Sequence, residues 1–441
     1  MTCTTKITEL STSISRNVAK INRFNEENDL PTQSFEPNAP TTYDYPPDIE
    51  EARQAVLLAT DELHALMAGP ANALMAPSHN VQTSIHAMYR FKIANSFPEG
   101  KEEVTYTELA TACGLTGPTL LRIVRDLMAH RIFRQTPDGK IAHTSASKLF
   151  ANNHAIRQWV GMVLEEMWPA ATKVVDALQK WPNSEEPNQS GFNLAHNVDQ
   201  PMLEFLGKEP ERAKRFAEAM SLFNTSPGME TKYIVEHYNW TSSVNDPVTV
   251  VDVGGSHGDV AISLACKYQN VTCIVQDLPE VIASAKIPEG LEKRLRFMEY
   301  DFFTEQPVKN ADVYLFKWIL HDWSDKYCIK ILRSLIPALK QGARVVVNEL
   351  ILPEPETVPL NQEATLRSFD IAMWEIQNGK ERDSSDWESL FQAVDYRLRL
   401  TKVIQPRGSK LGIIEATWDT CEALKLAHSA LPAFHDHEIA I

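Results

Sequence analysis

Val250-Val251-Asp252-Val253-Gly254-Gly255-Ser256-His257-Gly258 is the stretch whose reading decides the fold class. Its first four residues close an apolar, β-branched run from Val248, short enough for a buried strand. Glycines follow where the backbone must pass close to a ligand and then open a helix with unpaired N–H groups. A second apolar run, 271–276, leads into Asp277, 23 residues after Gly254. From that place an acidic side chain accepts both hydroxyls of a ribose. The plainer reading of Asp277 is an N-cap ahead of Leu278-Pro279.

Further candidate strands follow at 295–300, 313–320 and 343–350, and a closing hairpin pairs 397–404 with 411–417 around Pro406-Arg407-Gly408. Near-continuous apolar strands alternating with helical stretches predict an α/β fold, a Rossmann-like doubly wound sheet covered on both faces, over 241–420. Gly254 to Gly258 also satisfies the G-x-S-x-G pattern of a hydrolase nucleophile elbow with Ser256 as nucleophile. In such hydrolases several strands precede the nucleophile, whereas here the residues before 245 are mostly helical. His321 also precedes most acidic candidates, against the Ser, Asp, His order.

The N-terminal half reads differently. Residues 5–28 and 49–68 have helical apolar spacing, and the proline-rich stretch between them reads as a linker that makes 1–48 an arm. Within 49–150, helices over 106–113 and 118–129 followed by a hairpin at 132–144 predict a winged helix. Arg122 and Arg125 on its second helix invite a DNA-binding reading. Residues 101–150, however, hold seven basic and five acidic side chains, a balance of only +2. The whole chain of 441 residues carries 43 Lys plus Arg against 58 Asp plus Glu, a net charge of −15. Nucleic acid and anionic membranes are poor partners for such a chain, and the module reads as an interaction domain.

No apolar run reaches the ~18 residues needed to span a bilayer, and the first twenty residues lack the apolar core of a secretory signal. The six cysteines are scattered without metal-ligand spacing, so reduced thiols and a cytoplasmic location are expected. No metal is expected: His154, His257 and His435 fit no ligand spacing. Residues 151–240 read as a helical segment beside a substrate pocket, and 421–441 as a tail without a partner.

Two further segments carry chemistry-bearing residues, 316–325 (FKWILHDWSD) and 378–382 (NGKER). Taken alone, His321 reads as a core or capping histidine before a helix, Glu349 as a strand end and Glu381 as a solvated loop charge. Together with 251–258 and 274–279 these segments resemble the S-adenosylmethionine-dependent O-methyltransferases of the plant caffeate and flavonoid type. The likeness is closer still to their fungal secondary-metabolism relatives and covers 50–420. Ser256 stands where the family places a glycine.

The resemblance implies the cofactor's amino-acid end near Gly254, its ribose on Asp277, its adenine held and covered by Asp301 and Phe302, and a contact from Lys317. It makes His321 the general base, positioned by Glu349 and Glu381, and gives the winged helix a role in homodimers. Phe216, Met220 and Phe223 share one helical face, and with Met162, Trp168, Trp323, Met373 and Trp374 are candidates for the walls of an acceptor pocket. Such a stripe is more often ordinary core. A flat phenolic or polyketide acceptor would suit those walls. Some fungal relatives of this fold catalyse pericyclic ring closures without methyl transfer, which is the alternative activity. A winged-helix regulator with a vestigial cofactor domain is a third reading, which the charge disfavours.

Overall fold

The computed structural model describes residues 5–75, 79–241 and 246–420. The tail at 421–441, with His435, lies outside them. The chain forms two compact units, one of residues up to 168 with 209–222 and 358–364, the other of 169–208, 223–357 and from 365 onward.

The second unit is built on a seven-stranded sheet. Its strands are β1 (Val248–Val253), β2 (Val271–Asp277), β3 (Leu295–Glu299), β4 (Val313–Lys317), β5 (Arg344–Glu349), β6 (Leu398–Ile404) and β7 (Gly412–Trp418). The order across the sheet is β3-β2-β1-β4-β5-β7-β6. The first five of these run parallel, and β7 enters antiparallel between β5 and β6. Both faces of the parallel strands are covered, which is why those strands are apolar at successive positions. Val251, Tyr314, Phe316, Val345 and Val347 pack with Ile331, Leu332, Trp387 and Phe391 of the helices Asp325–Leu335 and Ser384–Val394. Val250, Val313, Leu315 and Val346 pack on the other face with Val260 and Leu264 of the helix Asp259–Lys267.

Strand order reverses between β1 and β4, so the carboxyl ends of β1, β2, β4 and β5 border the crevice where open α/β sheets bind ligands. Gly254, Asp277, Lys317 and Glu349 stand at those ends. The fourth strand is shorter than the apolar run suggests. It stops at Lys317, Trp318 turns left-handed (φ 56°) and the chain enters a 3₁₀ turn, Leu320–Asp322. The N–H groups of Ile319 and Leu320 bond the Glu349 carboxylate instead of a neighbouring strand.

In the first unit the helices Lys6–Glu27 and Pro47–Ala68 lie against each other, so the first helix does not stand apart as an arm. The tyrosines of the proline-rich stretch explain this: Tyr45 meets Phe24 edge-on and joins Ile21, Ile49 and Ala52 in a small core. Further on, the helices Tyr106–Cys113 and Gly117–Ala129 join at Gly114 (φ 66°). The strands Phe133–Gln135 and Ile141–His143 follow, and Glu103–Val104 adds a third to their sheet. Leu109, Leu120, Val124, Leu127 and Phe133 form the core here, while Arg122 and Arg125 are exposed. No described helix is long and apolar enough to cross a membrane.

Phe391 is fully buried against the sheet. Phe391→Ala removes that packing and leaves a cavity, and should destabilise the sheet unit by ~3–5 kcal/mol. Urea unfolding followed by tryptophan fluorescence tests this, and a loss under about 1 kcal/mol would contradict the packing described.

Candidate active site

At the end of β1 the chain turns at Gly254 (φ 72°), whose N–H bonds the carbonyl of Gln276 at 2.7 Å. The positive φ favours glycine, and a Cβ there would lie 2.4 Å from Ile319 Cδ1, so a side chain at 254 would push the end of Ile319 aside. Ser256 adopts φ 50°, a left-handed conformation that favours glycine. Its N–H nevertheless bonds Asp277 Oδ2 at 2.8 Å, and the N–H of Leu278 bonds Oδ1 at 2.8 Å. Each oxygen of Asp277 keeps a free lone pair, which is what a vicinal diol needs. Burial holds the Asp277 carboxyl above its usual range. Asp301 follows β3, whose partner is β2, and its Oδ1 accepts the N–H of Phe303 at 2.9 Å.

Asp252 lies beneath the glycines. A Cβ on Gly255 would come within 2.6 Å of its carboxyl carbon. Burial pushes the Asp252 carboxyl up to about 7 against the pull of the Lys317 charge, and its Oδ2 is buried without a hydrogen-bond partner among the described residues. Lys317 is in turn lowered by burial, with Asp252 and Asp259 opposing. An acidic crevice with a diol acceptor and an unpartnered buried carboxylate oxygen fits a ligand that joins a ribose to cationic groups, as S-adenosylmethionine does.

The 3₁₀ turn after β4 presents His321, whose side chain is 12 % exposed. Its Nδ1 lies 2.9 Å from Glu381 Oε1. A carboxylate only accepts, so in the neutral ring Nδ1 carries the proton and Nε2 the lone pair, and in the imidazolium both nitrogens are protonated. Nε2 is 3.6 Å from Asp322 Oδ1, too far for a hydrogen bond, and is left for an incoming hydroxyl. Burial disfavours the imidazolium, but Asp322 and Glu381 outweigh it and raise His321 to about 10. The structure brings Glu349 near this turn without placing it on the imidazole. Its Oε1 accepts the N–H groups of Ile319 at 3.0 Å and Leu320 at 2.7 Å. Burial and the neighbouring Glu381 keep the Glu349 carboxyl raised, with His321 opposing.

Aromatic rings line the approach. Trp318 lies 4.8 Å from the His321 ring and meets Phe223 at 5.6 Å, and Phe223 meets Phe369 at 5.7 Å. Trp318 Nε1 is buried without a partner among the described residues, a donor available to a ligand. Trp318 escaped the sequence reading because nothing in an apolar strand marks a left-handed break, and Phe369, on the helix Leu360–Gln377, because nothing in the helix marks the partner it packs against. Met373 is buried on the helix Leu360–Gln377, and its carbonyl accepts the N–H of Gly379. Trp323 sits edge-on to Phe302 at 6.1 Å and to Phe303 at 4.9 Å, which groups it with the residues expected around the adenine. Trp374 lines a separate cavity of about 240 Å³ with Trp181 and Asn378. Phe216, Met220, Met162 and Trp168 belong to the first unit, where Met162 is buried and Trp168 meets His86 edge-on.

A mostly parallel sheet of Rossmann-like order with an acidic crevice at its switch point, beside a histidine bonded to a carboxylate, is an arrangement that methyltransferase folds share. A model of the O-methyltransferase domain matches residues 177–397. An O-methyltransferase of Curvularia clavata is 36% identical over 94% of this chain and 97% of its own length. A chlorophenol O-methyltransferase of Trichoderma longibrachiatum is 37% identical over 93% of this chain and 90% of its own. The chain belongs to this O-methyltransferase family and uses the family's methyl donor, S-adenosylmethionine. In fold it also matches OxaC, solved with SAH and oxaline, at a TM-score of 0.70 and 23% identity over 93% of this chain and all of that one. A pericyclic reaction enzyme matches at 0.67 and 21% over the same shares of the two chains.

Asp277→Ala should weaken binding of S-adenosylhomocysteine, by on the order of 1.5–3 kcal/mol for each charge-assisted hydrogen bond lost. Calorimetry on the free enzyme measures it, and an unchanged affinity would remove Asp277 from the ribose site.

Proposed function

We propose that the protein transfers a methyl group to a hydroxyl of a phenolic or polyketide-like secondary metabolite, with His321 as general base. The observation that carries this is the orientation of one imidazole: Nδ1 bonded to Glu381 at 2.9 Å and Nε2 without a hydrogen bond, 3.6 Å from Asp322 Oδ1. Bound S-adenosylmethionine supplies an electrophilic methyl group on a sulfonium. What the protein must add is a nucleophilic oxygen. A phenol of pKa ~10 is barely ionised at neutral pH, and a base in hydrogen-bond reach is typically worth ~10²–10⁴ in rate. Glu381 fixes the tautomer and stabilises the imidazolium that forms, as carboxylates do in other His–acid pairs. The carboxylates that raise His321 strengthen it as a proton acceptor, and they also hold it protonated below that raised pKa, so the neutral ring that acts as base forms only as the pH rises.

The names of relatives favour this acceptor class: besides the chlorophenol enzyme, a grayanic acid biosynthesis cluster O-methyltransferase of Cladonia grayi is 38% identical over 94% of this chain. Gly254, Asp277, Asp301, Phe302 and Lys317 hold the cofactor in this reading, Trp323 packing beside Phe302. Phe223 and Met373, with Trp318 and Phe369, form the acceptor wall within the second unit. The test is mass spectrometry after incubation with labelled cofactor and a panel of phenols that includes para-chlorophenol. Methyl ethers are expected. Turnover of an acceptor without methylation, in wild type and His321→Ala alike, would move the reading to a pericyclase.

His321→Ala should leave cofactor affinity nearly unchanged and lower kcat by ~10²-fold or more, with the smallest loss on the most acidic phenol. His321 acts only when neutral, so the wild-type rate should rise with pH. Because its folded pKa is raised, that rise should lie above the ~6.5 of free histidine. A plateau already reached at pH ~6, or full turnover by the variant on a weakly acidic phenol, would exclude the base.

We further propose a cytoplasmic homodimer formed through the N-terminal region, read as a winged-helix module with its preceding helices. Leu74 and Met75 are 90% and 79% exposed and Met67 is 69% exposed, an apolar group that a second copy would cover. Light scattering should give twice the 49.7 kDa of one chain, and a single-chain mass at every concentration would refute this.

A further inference from the structure

Beside the His321 turn lies a fully buried cation that none of the chemistry above uses. The Arg382 side chain has no exposed surface. Its Nη1 donates to the carbonyls of Leu320 at 3.1 Å and Lys380 at 3.0 Å, and its Nη2 to the carbonyl of Trp323 at 2.9 Å. Its Nε bonds Asp325 Oδ1 at 2.9 Å, and the guanidinium lies 5.3 Å from the Trp387 ring centre. Leu320 and Trp323 are the two carbonyls that bracket His321 and Asp322.

The rest of the turn's main chain is bonded with equal completeness. Ile319 and Leu320 donate to Glu349, the carbonyl of His321 accepts the N–H of Lys380 at 2.9 Å, and that of Asp322 accepts Gln377 Nε2 at 2.7 Å. A Cβ at Gly379 would stand 2.5 Å from the His321 carbonyl oxygen, so the 378–382 segment can lie this close only with glycine there. A 3₁₀ turn of three residues makes few hydrogen bonds of its own, and its place is set by such outside partners.

We propose that Arg382 is a positioning residue for methyl transfer. With Glu349 gripping the N–H groups and Arg382 the carbonyls, the turn that carries His321 is clamped through its main chain. This role rests on the reading of His321 as the base. A lysine at 382 would keep the charge but could not reach Leu320, Trp323 and Asp325 together, because it lacks the planar fork of donors.

The experiment uses the full chain, Arg382→Lys, and Asp325→Asn as a milder variant that removes the half-exposed partner of the guanidinium. Hydrogen exchange of 319–323, S-adenosylhomocysteine affinity, and kcat and KM on the best phenol of the panel are measured, each also with His321→Ala added. Arg382→Lys should speed exchange of the turn and lower kcat, each by about tenfold or more, with acceptor KM and cofactor affinity changed by less than about threefold. In the His321→Ala background it should cost nothing further, because a clamp that acts through the imidazole has nothing left to position. Unchanged exchange and kcat, or an equal loss in both backgrounds, would overturn the proposal. If Arg382→Lys does not fold, Asp325→Asn decides by the same readouts at smaller size. Wild-type turnover by His321→Ala would instead overturn the base, while the exchange data still judge the clamp.

Discussion

The hydrogen bond from His321 Nδ1 to the buried Glu381 orders much of what surrounds it. A carboxylate without water is costly to keep unless charges and donors meet it, and three carboxylates are gathered here around one imidazole. Glu349 is met by two main-chain N–H groups, Glu381 by the imidazole and its own main chain by Asp370, and Arg382 supplies positive charge from below. The cluster is not fully matched, since one oxygen of Glu349 and one of Glu381 are buried without a hydrogen-bond partner among the described residues. The excess of acids also sets the proton affinity of His321, which the neighbouring carboxylates raise and the low dielectric opposes.

Topology explains why the glycine-rich turn and the His321 turn lie together. Parallel strands end together, so β1 and β2 deliver Gly254 and Asp277 while β4 and β5 deliver Lys317 and Glu349 to the same edge. The two halves touch where Ile319 fills the space a Cβ on Gly254 would need. The glycine-rich turn and the His321 turn are thus in van der Waals contact, one through an absent side chain. A substitution at Gly254 would reach the base turn through Ile319.

Much of this could be read from residues alone where local chemistry and final structure agree. The strands of the sheet came from β-branched runs, and the hairpin 398–404 with 412–418 from its Pro-Arg-Gly turn. The proline-rich stretch misled because its prolines spoke of a linker while its tyrosines packed as a core. The fourth strand ran three residues too long because Trp318 bears no mark of its left-handed backbone. Glu349, expected to position His321, bonds the main-chain N–H groups of Ile319 and Leu320, a choice of partner that no spacing conveys. Nothing in the Gly-Lys-Glu-Arg turn marks Arg382 as buried, and only tertiary packing makes it so.

The way the His321 turn is held has a consequence for descent. Apart from the single bond to Glu381, the contacts that fix the turn are made to peptide groups, which any side chain at 321 would carry. The scaffold can therefore trade the imidazole for another residue while keeping the loop, the crevice and the aromatic wall in place. A lineage built on such a loop can abandon proton abstraction without refolding. That is a physical route by which one architecture comes to host methyl transfer in some members and ring closure in others.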